Sequence, residues 1–339
     1  MIDQKTIIKN IPNSLETVNL PKSFGTKKQG KVRDYYILKN SPRGEAGKRI
    51  IITTDRQSAF DRILGLIPFK GQVLTEISEF WFSKTKDIVP NHLIFTPDPN
   101  VMIVKNCEVI PIEMVVRGYI SGVTSTSIWT AYQKGERIIY GIKFPESLKK
   151  NQKLKKPVIT PTTKAEVGHD ERLTRAEIIK KKIIPEKLYG QMEKAALKLF
   201  ARGSKICSKA GIILVDTKYE FGLYNNKLML IDEIHTPDSS RFWIKATYKK
   251  RLSEGLEPEN FDKEFMRIWF KEQGYTGDPS ASSGQVPKIP KMPQDFIAKI
   301  SERYQAVYEK ITGKKFKFDN SISIQDRIIK NLAKVSNYN

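Results

Sequence analysis

The chain has 339 residues, with 59 Lys and Arg set against 37 Asp and Glu, a formal charge of +22 that invites a nucleic-acid reading. The basic residues are spread along the whole length with no recognisable nucleic-acid-binding module, so a lysine-rich solvated surface is expected, one whose positive field speeds the capture of small anions. Cys107 and Cys207 are too few and too far apart for a disulfide framework or a zinc cluster, and no segment approaches the length of a bilayer span, which excludes a membrane partner and points to the cytoplasm.

In chain order, residues 31–38 and 49–54 read as strands, the second running into a polar loop over 55–61. Residues 25–32 fall one position short of a phosphate-binding P-loop. That reading is rejected because Val32 stands where the hydroxyl is needed and a β-prone stretch follows instead of a helix. Period-two alternation along a strand over 31–38 would send Lys31 and Arg33 to one face. Residues 101–104 and 109–119 read as two further strands, with Glu113, Val115 and Arg117 sharing a face and the outer two separated by roughly 13 Å. Residues 160–174 are polar and aperiodic, as a substrate-covering loop would be, and 186–209 carries Leu188, Met192, Ala195, Leu199 and Ile206 at helical spacing. The C-terminal third reads as helices, with Phe261, Phe265, Ile268 and Trp269 on one and Phe296, Ile300, Tyr304, Val307, Tyr308 and Ile311 on another, Gly274 and Gly313 being the stops. A Gly, Ser and Pro-rich loop separates the two.

The most informative stretch is residues 212–235. Apolar runs lead into Asp216, Lys218, Glu220, Asp232 and Glu233, with Asn225-Asn226 marking the turn of a hairpin. Oxygen ligands with no nearby Cys favour Mg²⁺ over zinc, and Mg²⁺ held by one or two carboxylates shares its remaining positions with water and phosphate. The following TPDSSRFW packs hydroxyls, an acid and a guanidinium into a turn suited to a small anion.

LVDTKYEFG (214–222) and IPIEMVVRGYISG (110–122) resemble signature segments of the phosphoribosylaminoimidazole-succinocarboxamide synthase (SAICAR synthetase) family. The likeness continues in GKVRDYY, TTDRQSAFDRIL, IPFKGQVLTEISEFWF, TPTTKAE and DEIHTPDSSRFW, in the family's order, and the longer form of the enzyme is the closer match. The resemblance implies an α+β fold, ATP-grasp-like and two-lobed with C-terminal helices. It implies a β-rich nucleotide-covering lobe over 1–108, a central lobe over 109–250 with the substrate and metal site, and a helical segment over 251–339. The activity it implies is ATP-dependent condensation of 5-amino-1-(5-phospho-ribosyl)imidazole-4-carboxylate (CAIR) with L-aspartate.

By the same resemblance, Gly30, Lys31, Val32, Arg33, Val109, Ile112, Glu113 and Lys218 bind ATP. Ser58, Asp61, Arg117, Ser121, Lys164, His169, Asp170, Asp238, Ser240 and Arg241 bind the other substrates. Glu220 and Asp232 hold Mg²⁺, and with Lys31 and Arg33 they form the catalytic set. One departure is Val123, where the family has a Ser, so Ser121, Thr124 or Ser125 must supply that hydroxyl or the contact is absent. A two-residue turn at Asn225-Asn226 would pair Glu220 with Ile231 and put Glu220 on the face of Glu233, opposite Asp232. For Glu220 and Asp232 to share an ion, a three-residue loop or a bulge in one arm is expected, leaving Glu233 as a secondary ligand or turned away. Two other readings are a kinase-like phosphotransferase, which lacks its His-Arg-Asp loop here, and a basic RNA-binding protein, which leaves the acidic hairpin without a purpose.

Overall fold

The computed structural model describes residues 1–38, 47–60, 62–123, 126–164, 170–261, 263–275 and 287–335. The chain divides into two units, one of Met1–Phe82, His92–Asn106 and Phe261–Asn339 and the other of Ser83–Asn91 and Cys107–Asn260. This division differs from the expected bounds at 108/109 and 250/251, since residues 83–91 go with the second unit and the C-terminal segment over 251–339 is shared between the two. Residues 251–260 go with the second unit, and the remainder belongs to the first.

The first unit begins with α1 (Gln4–Lys9), started by Asp3, whose carboxylate accepts from the Thr6 backbone. There follow β1 (Thr26–Gln29), β2 (Arg33–Ile37), β3 (Lys48–Thr53), β4 (Arg56–Ala59), β5 (Arg62–Leu66), α2 (Lys70–Thr85), β6 (Leu93–Asp98) and β7 (Val101–Lys105). An antiparallel sheet runs in the order β1-β2-β3-β7-β6. Its alternation places Tyr36 across from Ile50 and Ile50 across from Ile103, so these apolar side chains form a row on one face. The stretch 30–32 is the tip of the β1–β2 hairpin, closed by the Gly30 amide donating to the Arg33 carbonyl at 2.8 Å. This corrects the alternation argument: Lys31 sits exposed on the tip while Arg33 begins the strand and is buried.

The second unit contains β8 (Glu108–Tyr119), α3 (Ile128–Gln133), β9 (Ile138–Ile139), β10 (Ile142–Lys143), β11 (Lys153–Ile159), β12 (Thr162–Thr163), α4 (Arg175–Lys180), α5 (Glu186–Lys209), β13 (Ile212–Tyr224), β14 (Lys227–Ile231), β15 (Ser240–Ile244) and α6 (Lys245–Ser253). The main sheet is ordered β11-β8-β13-β14, with β12 beside β8 and β15 beside β13. Helix α5 has the bounds that its periodicity predicts and buries Tyr189, Met192, Ala196, Leu199, Phe200, Gly203 and Cys207, a stripe at spacings of three and four. Leu188 and Ile206 sit one position off the stripe's centre.

The chain returns to the first unit in α7 (Glu264–Glu272), α8 (Gln294–Thr312) and α9 (Ile324–Val335). Gly313 ends α8 at φ 72°, a left-handed cap that a β-carbon would disfavour. Ile328 and Leu332 of α9 pack on Tyr36, Ile50, Ile52, Val101 and Ile103, each contributing about 1.5–3 kcal/mol by burial. No helix among the described residues is long and apolar enough to cross a membrane.

Candidate active site

Strands β8 and β13 pair antiparallel with Asp216 opposite Arg117, Lys218 opposite Val115 and Glu220 opposite Glu113. Because cross-strand partners share a face, one side of this ribbon carries two glutamates, a lysine, an arginine and an aspartate. Placing Glu113 directly across from Glu220 would be repulsive without cations between them. Lys218 supplies one, ion-paired to Glu113 and reaching Glu220 at 2.7 Å, and Lys164 pairs with the other oxygen of Glu220. Both carboxylates are buried, whereas the two lysine side chains are about a third exposed.

These surroundings separate the two acids. Burial alone would raise Glu220, but the Lys218 and Lys164 ammonium groups outweigh it and hold the carboxyl well below its usual range. Glu113 is raised, by burial first, with Glu220 and Asp170 repelling its charge and Lys218 only partly offsetting them. Burial works against the Lys218 charge, yet Glu220, Glu113 and Asp232 together drive its affinity for a proton above normal. Asp232 thus lies near enough to stabilise the ammonium that touches Glu220.

The hairpin turn corrects the expected register. Asn225 and Asn226 have φ of 51° and 58°, the pattern of a two-residue type I′ turn, and the ladder runs from Tyr224–Lys227 to Glu220–Ile231 with no three-residue loop and no bulge. What changes is the end of the strand. Strand β14 stops at Ile231, and Asp232 takes φ 66°, so the alternation that would turn it to the far face no longer applies. Glu233 is buried and accepts from the Thr236 hydroxyl at 2.7 Å.

Further along the same face, Asp216 pairs with Arg117 at 3.4 Å and with Arg241 of β15 at 2.6 Å. Arg117 is also held by the Thr160 hydroxyl at 2.8 Å, and burial lowers its hold on the proton, with Asp216 opposing. Two guanidinium groups converging on one carboxylate offer the planar forked donors that suit a phosphate or carboxylate. Ser240 donates to Thr217 at 2.7 Å, and the Asp238 amide donates to the Thr236 hydroxyl at 3.2 Å. Ser121, one of the three candidates at the Val123 departure, is buried and donates to Asn151 at 2.9 Å. Its alternatives Thr124 and Ser125, together with Asp61 and His169, lie outside the described residues.

The second unit therefore brings together Glu113, Arg117, Lys164, Lys218, Glu220 and Arg241, with Val109 and Ile112 further along β8. Gly30, Lys31, Val32, Arg33 and Ser58 belong to the first unit. There, the buried Arg56 donates to the carbonyls of Gly30 at 3.0 Å and Lys31 at 3.1 Å and pairs with Asp34 at 2.8 Å. Sequence reading passes over Arg56 and Thr160, and it places Asp216 among the hairpin acids without giving it the arginine partners it has here. Asp216 had a signal, since 216, 218 and 220 form a period-two charged series on an otherwise apolar strand.

A face that pairs a low-titrating carboxylate with two ammonium groups, next to an arginine pair, is equipped to hold a cation and anionic substrates, as a carboxylate-activating ligase requires. The SAICAR synthetase family model matches residues 26–283. The chain is 49% identical over 326 residues to the phosphoribosylaminoimidazole-succinocarboxamide synthase of Legionella pneumophila (strain Paris), covering 96% of this chain and 99% of that one. It is 44% identical over 334 residues to the chloroplastic synthase of Arabidopsis thaliana, covering 97% of this chain and 77% of the relative. Among solved structures, the SAICAR synthase of Saccharomyces cerevisiae complexed with SAICAR aligns with a TM-score of 0.73 at 32% identity, over 90% of this chain and 100% of that one. The chain belongs to the SAICAR synthetase family, with that family's α+β fold. The reaction is the family's step of purine biosynthesis, ligation of CAIR to L-aspartate to give SAICAR.

Proposed function

We propose that the reaction runs through an acyl phosphate, with the polar face of β8 and β13 as its platform. A carboxylate is a poor acyl donor because its leaving group would be oxide. In the first step an oxygen of the CAIR carboxylate attacks the γ-phosphorus of ATP and ADP leaves. In the second, the aspartate amine attacks the acyl carbon, phosphate departs, and the new amide nitrogen gives up a proton. Supporting the use of ATP is a SAICAR synthetase solved in complex with ADP, which shares the fold at a TM-score of 0.63.

Arg117 and Arg241 are assigned to the phosphate or carboxylate of the imidazole nucleotide, since both guanidinium groups converge on Asp216 at one end of the polar face. Asp238 and Ser240 flank that position, while Lys164 and Asp170 are assigned to aspartate. Glu113, the β8 backbone at Val109 and Ile112, and Lys218 are assigned to the nucleoside and phosphates of ATP. Lys31 and Arg33, with Gly30 and Val32, are assigned to its terminal phosphates, where positive charge stabilises the departing phosphoryl group. Ser58 is kept as a substrate contact on the resemblance alone.

Mg²⁺ is assigned to Glu220 and Asp232. Among the described residues no group of three metal-binding side chains occurs, yet Mg²⁺ needs only one or two carboxylates when phosphates complete its shell. Glu220 is suited to this because it is buried and held ionised by two ammonium groups. When bound, the ion would neutralise charge on the phosphoryl oxygens. A cytoplasmic location is part of this reading, supported by the two buried free thiols, Cys107 and Cys207.

The observation that carries the reading is the cross-strand Glu113–Glu220 pair bridged by Lys218, with Asp232 in the same field. The test is ADP release measured with and without CAIR and aspartate. Release dependent on both, matched by amide product, supports it; equal release without CAIR would overturn it.

A further inference from the structure

The even hairpin register leaves open how Asp232 would come to the Glu220 face assigned to it above, and the opposite side of β13 supplies an answer. Tyr219 stands between Lys218 and Glu220, so its side chain points away from the polar face, and it is completely buried. Continued pairing would set Tyr219 across from Asp232, but the ladder ends at Glu220–Ile231. Instead the Tyr219 hydroxyl meets Nε2 of His235 at 2.6 Å, with the rings edge to face at 5.4 Å. His235 is also completely buried and, like Asp232, has a left-handed backbone, φ 47°. Non-glycine residues in that region cost of order 1–3 kcal/mol each and persist only where surrounding structure fixes them.

The fixing comes from helix α5. At Gly203 an added β-carbon would lie 2.4 Å from Cε1 and 2.8 Å from Nδ1 of His235, so the imidazole occupies the space that a side chain would take. Ring and helix together pin residue 235 against the apolar side of β13, while residue 232 leaves the strand through its left-handed turn.

We propose that the Tyr219–His235 pair, seated in the notch at Gly203, positions Asp232 beside Glu220 for the shared cation. These are positioning residues, and the proposal rests on the Mg²⁺ assignment above. The pair acts through the backbone of 232–235 and touches neither substrate nor metal.

The test is Mn²⁺ binding to the ADP-loaded protein followed by electron paramagnetic resonance, alongside the thermal midpoint and the KM for CAIR. Tyr219→Phe keeps the ring and removes the hydroxyl; it is expected to weaken Mn²⁺ binding about tenfold, the lower end for a supporting partner of a metal ligand. The KM for CAIR should move less than about twofold, because Arg117 and Arg241 are anchored on Asp216 instead. Gly203→Ala presses on the ring from the helix side and should reproduce the Mn²⁺ loss. Unchanged Mn²⁺ affinity in both variants, with Asp232→Asn weakening it, would reduce the pair to packing and overturn the proposal. Unchanged affinity in Asp232→Asn itself would overturn the metal assignment beneath it.

Discussion

Two clusters of buried charge, one in each unit, are closed in different ways. In the first unit Asp34 accepts from the Val18 amide, the Thr17 hydroxyl and the buried Arg56, with the Lys27 ammonium at 3.2 Å as a further partner, while Arg56 also donates to the carbonyls of Glu16, Gly30 and Lys31. Burial pushes against the Asp34 charge, but those bonds win and hold the carboxyl below its usual range. In the second unit the partners of Glu113 and Glu220 are chiefly the ammonium groups of half-buried lysines. Backbone acceptors are fixed by the fold, whereas a lysine head on a four-carbon stem can be exchanged for another cation. A closed network of the first kind stabilises a loop, and an open one of the second kind binds ligands.

Breaking the closed network should give the largest effect on stability. Arg56→Ala removes the buried guanidinium from Asp34, leaving it Lys27 at 3.2 Å, the Thr17 hydroxyl and the Val18 amide, at a cost of about 1.5–3 kcal/mol in urea unfolding. Asp232→Asn or Glu220→Gln should instead leave the unfolding midpoint nearly in place and lower kcat on the order of 10²–10³-fold, as loss of a group that stabilises transition-state charge does. If Asp232→Asn unfolded the protein and Arg56→Ala did not, the contrast between the clusters would be reversed. Arg241→Ala removes one of two guanidinium groups from Asp216 and should raise the KM for CAIR about 10- to 100-fold with ADP affinity intact. Equal loss of both would mark Arg241 as structural. Lys31→Ala, on the exposed hairpin tip, should lower kcat about tenfold with little change in KM, since its charge matters as the phosphoryl group departs.

The smallest effect is a pH dependence. Burial lowers His235 from 6.5 to about 3, so the folded protein refuses a proton that the unfolded chain accepts. This stability is present above pH 6.5 and is lost as the pH falls toward 3. The stability advantage of the wild type over His235→Asn should therefore shrink by about 1.4 kcal/mol between pH 7.5 and 5.5. A pH-independent difference would show that the imidazole takes up a proton as readily in the fold as in the unfolded chain.

Where the sequence was readable, the signal was local. Helix α5 declares itself by spacing, and the β13–β14 hairpin by its Asn-Asn turn, because neither needs a distant partner to be recognised. Alternation failed at Lys31 since the strand begins two residues later, after a hairpin tip that the Gly30–Arg33 bond closes. The three-residue loop or bulge expected from the shared-ion argument is absent, because the two-residue turn sets the register and a left-handed Asp232, which depends on tertiary surroundings and leaves no mark in period two, ends the alternation. Thr160 and Arg56 were missed for a related reason. A hydroxyl or a guanidinium acquires its role only from partners brought close by folding, here Arg117 for the first and Gly30 for the second.

The convergence of Glu220 and Asp232 on one ion is tested most directly by anomalous diffraction from crystals of the protein with Mn²⁺ and ADP. The expected result is a peak about 2.1 Å from a carboxylate oxygen of each, with Glu233 still bonded to Thr236 and the Lys164 ammonium displaced from Glu220. A peak held by Glu220 and Glu233, with Asp232 turned to the far side of the sheet, would contradict the assignment and restore the alternation that the hairpin's even register implies.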